Sequence, residues 1–346
     1  MFKATEFFET LEFKNPLYID LRSEEEFSNE TIPDSINLPI LNNEERKIVG
    51  ILYVNGNVEE AKSKAVKFAS HKLTDYYNYI ANNCRNRETV LYCSRGGYRS
   101  TVLFNLLKTL DEPVYKLNFG YKGYRKYIMN ELPKLVSKFN FINLNGYTGC
   151  GKTQILYELK KLGADVLDLE KLANHRGSLL GHIGLNRQPS QKMFESFLFD
   201  ELRNMNGTNI FIESESTKIG SITVPKYLYD AYSKSSNQIL ITSSINFRIK
   251  NIKDEYISSE NKNFKTEIND ALDNLSRYIS EKRLIKYKQC IKDEDYDTII
   301  RELIEKYYDQ NYSIKKTDFA LRIDNSNSKE CAEKIFNFCN EYGGIL

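Results

Sequence analysis

The sequence predicts an α/β protein: two parallel-sheet domains in tandem, the second carrying a helical C-terminal extension. Three observations predict it. Short apolar segments alternate with helical periodicities along most of the 346 residues, the pattern of parallel strands joined by crossover helices. Two of those segments run directly into glycine-containing turns, Cys93–Ser100 and Gly146–Thr153. The tract 251–310 has helical spacing and abundant charge, which reads as added helices.

The elements follow in order. Leu17–Leu21 is a short apolar strand. Ser23 opens a helix to Phe27, with Glu26 three residues on as the second half of a capping box. Ser35–Leu38 reads as a strand. Asn42 to about Asn83 reads as one charged helical segment, with Val66, Ala69, Leu73, Tyr76, Tyr77 and Ile80 on a stripe. Thr89–Tyr92 is a buried strand, Ser100–Leu110 an amphipathic helix, Val114–Leu117 a strand and Tyr121–Met129 a helix. Pro133–Asn140 reads as a linker, so the expected domains are residues 1–137 and 138–346. Phe141–Leu144 opens the second domain and Thr153–Leu162 is its first helix. Strands are expected at Asp165–Leu169, Asn209–Glu213, Gln238–Thr242 and Phe319–Ile323, with a last helix from about Lys329 to Tyr342.

Composition excludes some classes. The formal net charge is only +2, so nucleic-acid binding by overall charge is not expected and must use local patches. The cluster Lys282, Arg283, Lys286, Lys288 reads as a solvated helix face. None of the six cysteines forms a CxxC pair, which points to a reducing compartment. MFKATEFFETLEF lacks the apolar run of a signal peptide, and no segment approaches the ~18 apolar residues of a spanning helix. The expected location is the cytoplasm, with no membrane partner.

Cys93 opens a loop of Ser94, Arg95, Gly96, Gly97, Tyr98, Arg99 and Ser100 between a strand and a helix. Such a loop can aim successive N–H groups inward as an anion-binding nest, and the helix start adds partial positive charge. Arginines beside a cysteine favour the nucleophilic thiolate. Cys93 is therefore the expected catalytic nucleophile. Gly146, Tyr147, Thr148, Gly149, Cys150, Gly151, Lys152 and Thr153 match GxxxxGK[ST] after a strand and before a helix, the setting of a phosphate-binding P-loop. Lys152 is expected on phosphate oxygens, and Thr153 is the candidate Mg²⁺ ligand; no other metal ligand is certain. Glu213 and Glu215 follow a strand and share one side if the chain stays extended, making them candidates for an acid or for holding a metal-bound water. Cys150 reads as a small filler. His71, His175 and His182 lack metal-ligand spacing.

The Cys93 segment resembles the active-site loop of rhodaneses. Ile19-Asp20-Leu21-Arg22 with Glu26-Phe27 resembles their DxR…EF signature, and Ile32–Pro39 resembles HIPGAxNxP. Asp20 and Arg22 then read as a supporting ion pair. The Cys93-to-Arg99 loop is one residue longer than the usual rhodanese loop, which suits a bulkier anionic donor. A rhodanese half fused to a P-loop half resembles the tRNA 2-selenouridine synthase family, over about residues 17–255. The stretches Asn42–Gly50, Asp168-Leu169-Glu170, His175-Arg176-Gly177-Ser178, Gln188–Gln191 and Glu213–Ser216 continue the likeness, so His175 and Arg176 count as supporting residues. Phe119 stands where one glycine of a Gly-Gly-Tyr turn is usual, and Cys150 where a serine is usual.

The resemblance implies selenium delivered from selenophosphate to Cys93. It implies a tRNA bearing 2-thiouridine in the anticodon loop, and an S-geranyl intermediate made from geranyl diphosphate. The P-loop would then hold the diphosphate, with Mg²⁺ as a candidate aid and no tightly bound cofactor. Selenophosphate synthetase is an implied partner. The competing reading is a phosphatase-like or sulfurtransferase domain fused to a small-molecule kinase.

Overall fold

In the computed structural model, which describes residues 3–178, 180–257, 264–275, 279–311 and 318–341, the apolar run Val90-Leu91-Tyr92 lies in the middle of a parallel sheet. Strands β1 (Pro16–Asp20), β2 (Ile36–Asn37), β3 (Glu88–Tyr92) and β4 (Val114–Lys116) are ordered β2-β1-β3-β4, all parallel. Val90, Leu91 and Tyr92 are fully buried, as expected of a strand covered on both faces. The Tyr92 hydroxyl donates to Ser35 at 2.9 Å and accepts the Ile32 N–H at 3.2 Å. That joins the sheet centre to the loop before β2.

The expected helix from Asn42 to Asn83 is two helices, Asn43–Val54 and Val58–Asn83. Gly56 breaks it at φ +81°, a conformation natural only to glycine. Ala69 and Ile80 are buried, but Val66 is 69% exposed and does not belong to the apolar stripe. Pro133 does not end the helix in which it lies. The helix Gly120–Val136 continues through it, and the chain divides into one unit of residues 1–132 with 189–199 and a second of 133–188 with 200–346. The segment 189–199 joins the first unit through side chains. Arg125 pairs with Glu195 and donates to Ser196 at 3.2 Å, and Lys192 pairs with Glu30 at 2.7 Å.

The second unit holds β5 (Asn140–Asn145), β6 (Asp165–Leu167), β7 (Asn209–Glu213), the hairpin β8 (Lys218–Ile219) and β9 (Ile222–Thr223), β10 (Gln238–Thr242) and β11 (Leu321–Asp324). The five-stranded sheet runs β11-β10-β5-β7-β6, all parallel. The β11 strand begins two residues later than the sequence predicts. Because the strands are parallel, all five carboxyl ends open on one edge, where ligands of such sheets bind. After β10 come the helices Ile245–Tyr256, Phe264–Leu275, Glu281–Lys292 and Tyr296–Leu303, and a π-turn Ile304–Tyr308. The last three helices share an apolar cluster with Leu180 and Ile183. Two of the basic-cluster residues are tied locally, Lys286 to Glu302 at 2.9 Å and Lys288 to Asp273 at 2.5 Å. The last helix is described over Ser328–Glu341; Tyr342 lies outside the described residues. Among these residues no helix is long and apolar enough to cross a membrane.

Phe119 and Gly120 both take left-handed backbone angles, φ +54° and +53°. A Cβ at position 120 would overlap the Cys93 carbonyl, so Gly120 is required there. Phe119 bears the strain a glycine would relieve, and its side chain is exposed. Gly120→Ala is therefore expected to destabilise the protein by more than about 1 kcal/mol. Phe119→Gly should leave stability within about 0.5 kcal/mol or raise it. Urea unfolding of both variants checks this; the reverse order would contradict the turn geometry.

Candidate functional site

Strand β3 ends at Tyr92, and the chain turns at Cys93 into the loop leading to the helix Tyr98–Thr109. The Cys93 thiol is buried, 3.2 Å from the Ser100 hydroxyl and 3.9 Å from the Gly97 carbonyl oxygen. The carbonyls of Cys93 and Ser94 accept the N–H groups of Tyr121 (2.8 Å) and Lys122 (3.0 Å). These bonds pin the loop carbonyls against the start of the helix Gly120–Val136. Gly96 turns at φ +66°. Gly97 precedes its helix without a side-chain cap, so the first-turn N–H groups of Tyr98, Arg99 and Ser100 have no intrahelical acceptor. Such groups suit an anion.

The two arginines separate. Arg99 donates to Glu26 at 2.6 and 3.3 Å, while Arg95 and Tyr98 are exposed. Burial pushes the Glu26 carboxyl up, but Arg99 outweighs it and holds the carboxyl below its ordinary value. The expected Asp20–Arg22 pair is present and buried, with Nη2 2.6 Å from Asp20. Arg22 also lies 4.2 Å from the Tyr121 ring centroid. The pair thus buttresses the residue whose N–H holds the Cys93 carbonyl.

In the second unit the P-loop follows β5. Gly149 and Gly151 are left-handed, φ +80° and +86°. A Cβ on Gly146 would lie 2.5 Å from the Cys150 sulfur and 2.6 Å from the Ile241 carbonyl oxygen. Cys150 is buried and burial pushes its thiol up, in keeping with a filler. Three side chains take the loop carbonyls: Arg248 Nε that of Thr148 at 2.8 Å, Asn251 that of Gly149 at 3.0 Å, and Asn325 that of Cys150 at 2.8 Å. Arg248 is fixed in turn by Asp309 at 2.6 and 2.9 Å and lies 5.4 Å from the Tyr147 ring centroid. Lys152 Nζ donates to the Gly146 carbonyl at 3.1 Å. Sequence reasoning missed Arg248, Asn251 and Asn325; Arg248 and Asn251 lie in the helix that follows β10, and only Asn325 directly follows a strand, β11.

Thr153 donates to Glu213 at 3.3 Å. Among the described residues, Glu170, Glu213 and Glu215 bring carboxylate oxygens within 4.8 Å of one another. Glu213 is 2% exposed and its Oε1 is buried without a hydrogen-bond partner. Burial pushes the Glu213 carboxyl up to about 8 and the Glu215 carboxyl up to about 7, against the opposing pull of Lys152. Burial and then the two neighbouring carboxylates raise Glu170 too. Glu170 was missed as a site residue, although it ends the Asp168-Leu169-Glu170 segment. Gly177 closes over this group: a Cβ there would overlap Glu170 Oε1 and lie 2.7 Å from Glu215 Oε2.

The neighbours His175 and Arg176 have different tasks. His175 is buried, its Nδ1 has no hydrogen-bond partner, and burial pushes its pKa down. Arg176 bonds the Ile183 carbonyl at 2.6 Å and pairs with Glu255 at 3.2 Å, which fixes the loop carrying Gly177. Clustered carboxylates beside a threonine hydroxyl are hard oxygen donors and fit a divalent cation such as Mg²⁺.

Residues 139–342 match the family described as tRNA 2-selenouridine synthase AAA domain, and residues 3–127 match the rhodanese-like domain. The chain is 29% identical to the tRNA 2-selenouridine synthase of Hydrogenovibrio crunogenus, over 95% of this chain and 97% of that protein. It is also 29% identical to that of a Sulfurovum species, over 97% of each. To that of Nitrosomonas eutropha it is 35% identical, over 69% of this chain and 62% of that protein. Among solved structures, an N-terminal domain from Clostridium difficile 630 is 34% identical over 37% of this chain and 99% of that one, with a TM-score of 0.36.

The raised carboxyls give a signed pH effect. Native Glu213 binds its proton more tightly than the unfolded chain does. Its contribution is fully present below about 4.5 and is lost as pH rises through about 8. The metal-free protein should therefore lose thermal stability between about pH 4.5 and about pH 8, and Glu213→Gln should flatten that slope. Added Mg²⁺ should raise the melting temperature more at the alkaline end. A slope unchanged by Glu213→Gln would contradict the assignment.

Proposed function

The chain belongs to the tRNA 2-selenouridine synthase family, and on that premise we propose that it exchanges the 2-thio sulfur of a tRNA uridine for selenium in two steps, one at each loop. The observation that carries the proposal is the pairing, in one chain, of a cysteine nest and a complete P-loop whose carbonyls are pinned back.

The first step is alkylation at the P-loop. The sulfur of anticodon 2-thiouridine attacks C1 of geranyl diphosphate. The S–C bond forms, the C–O bond breaks, diphosphate leaves with the electron pair, and the base loses its N3 proton. The loop N–H groups and Lys152 stabilise the charge growing on the leaving oxygens. Thr153, Glu213 and the adjoining Glu170 and Glu215 would hold a divalent cation, which when bound supplies further charge neutralisation.

The second step belongs to the Cys93 loop. The Cys93 thiolate attacks C2 of the geranylated base and expels the geranyl thiolate, leaving a Cys93–C2 bond. Selenium from selenophosphate, already at the selenide level, then displaces Cys93. Water takes the phosphoryl group to phosphate, and no oxidant is consumed. The N–H groups of residues 98–100 receive the phosphoryl oxygens. A perselenide carried on Cys93 and made from selenophosphate alone would expel phosphorus as phosphite, so the phosphorus product separates selenium carriage from attack on the base.

Nucleoside mass spectrometry of tRNA separates the steps. Cys93→Ser should accumulate geranylated nucleoside and form no selenouridine. Lys152→Ala should slow geranylation by about a hundredfold or more, yet still selenate tRNA supplied already geranylated. Geranylation by Lys152→Ala at the wild-type rate would remove the P-loop from the first step.

A further inference from the structure

A pocket of about 340 Å³ lies beside the first helix of the second unit, within the roughly 300–1,000 Å³ of small-molecule sites. The helix Lys152–Lys161 forms one wall, and the end of β6 with the helix Leu169–Ala173 forms another. Thr153, Leu156, Tyr157 and Lys160 line it at offsets of three, four and seven residues, so they share one helix face. That face begins at the phosphate loop, since Thr153 both lines the pocket and donates to Glu213. Tyr157 follows four residues on, about 6 Å along the helix axis.

The lining is apolar at its base and polar at its rim. Leu156 and Val166 are buried, whereas Tyr157 is 63% exposed and Lys160 and Lys171 are exposed. Lys161 Nζ stands 4.2 Å from the Tyr157 ring centroid. Lys160 pairs with Glu201 at 3.3 Å. Asp168 accepts the Lys171 N–H through Oδ1 at 2.8 Å, which leaves Oδ2 as an acceptor for a ligand. Two lysines are balanced by two acids, so the pocket suits an uncharged ring with a phosphate at the rim better than a free di- or triphosphate. Single-stranded RNA is held in that way, an unstacked base on an aromatic ring with its edge hydrogen-bonded. The basic cluster 282–288 is a poorer place for RNA, because Lys286 and Lys288 are already paired.

We propose that this pocket receives the flipped-out pyrimidine of the acceptor RNA, with the base against Tyr157, its N–H toward Asp168 and a flanking phosphate on Lys171. The inference rests on the reading of the P-loop as the alkylation site. Transfer between two substrates needs the acceptor beside the leaving group, and Thr153 is common to both places.

The test uses the full chain and an anticodon stem-loop carrying 4-thiouridine at the wobble position, irradiated and digested to locate the cross-linked peptide. A cross-link should fall within residues 153–172 and be lost in Tyr157→Ala. With 2-thiouridine tRNA and geranyl diphosphate, Tyr157→Ala and Lys171→Glu should each raise the KM for tRNA about tenfold with kcat little changed. Inhibition by inorganic diphosphate should stay at the wild-type level. Tyr157→Phe should keep the wild-type KM, and Lys171→Glu should flatten its salt dependence. Lys282→Glu, the same change of charge on a different helix, should alter neither. Thermal unfolding checks that each variant is folded. An active wild type with no cross-link in 153–172, or folded Tyr157→Ala and Lys171→Glu variants with the wild-type KM, would overturn the pocket assignment alone. A wild type that transfers no geranyl group would overturn the alkylation reading, while the cross-link still decides whether the RNA base enters the pocket.

Discussion

Both loops depend on one constraint: a peptide turn that receives an anion must have its carbonyl oxygens held away from it. A carbonyl aimed into the nest would repel the charge that the N–H groups attract. The protein meets this constraint in two ways. In the first unit the backbone of residues 121 and 122 takes the carbonyls of Cys93 and Ser94, and the Arg22–Tyr121 contact steadies that backbone. In the second, Arg248, Asn251 and Asn325 take three consecutive carbonyls. The glycines follow from the same requirement. Gly120, Gly149 and Gly151 have left-handed angles and lie where a Cβ would meet either the pinned carbonyl, that of Cys93, or the residues that do the pinning, Arg248, Asn251 and Asn325.

The carboxylate cluster is the opposite case, a cost retained at a site. Glu213 is sealed in the sheet edge with one oxygen unpartnered, and desolvation of a charge there is expensive. A chain selected for stability alone would replace it. Its position against Thr153, under Gly177 and near Lys152, explains its retention if charge is delivered there by a cation and a diphosphate.

Legibility in the sequence follows the range of the interactions. The strands Thr89–Tyr92 and Phe141–Leu144 and both loops were readable because their signals are contiguous: an apolar run, then glycines with a cysteine or a lysine. Asp20–Arg22 was readable because its partners are two residues apart. The helix break at Gly56 was obscured by apolar spacing on both sides, and Pro133 misled as to where its helix ends, because a helix can run through a proline when packing holds it. Residues 189–199 join the first unit through Arg125 and Glu30, partners remote in sequence. Asn325 lies 175 positions from the carbonyl it holds, and no local pattern marks such a bond. Phe119 was visible only as a departure from a family turn; its positive φ gives the departure a physical meaning.

Taken together, the two units supply two anion sites of similar logic and different chemistry, one with a thiol at its base and one with a lysine and acids. The central claim is that Cys93 attacks the geranylated base directly. The most direct measurement is peptide mass spectrometry after the chain is mixed with geranylated tRNA without selenophosphate, denatured and digested with nuclease and protease. A uridine adduct on the Cys93 peptide, discharged when selenophosphate is added before denaturation, is the predicted result. Turnover with no adduct at Cys93, or selenium found on its sulfur with phosphite released, would contradict it.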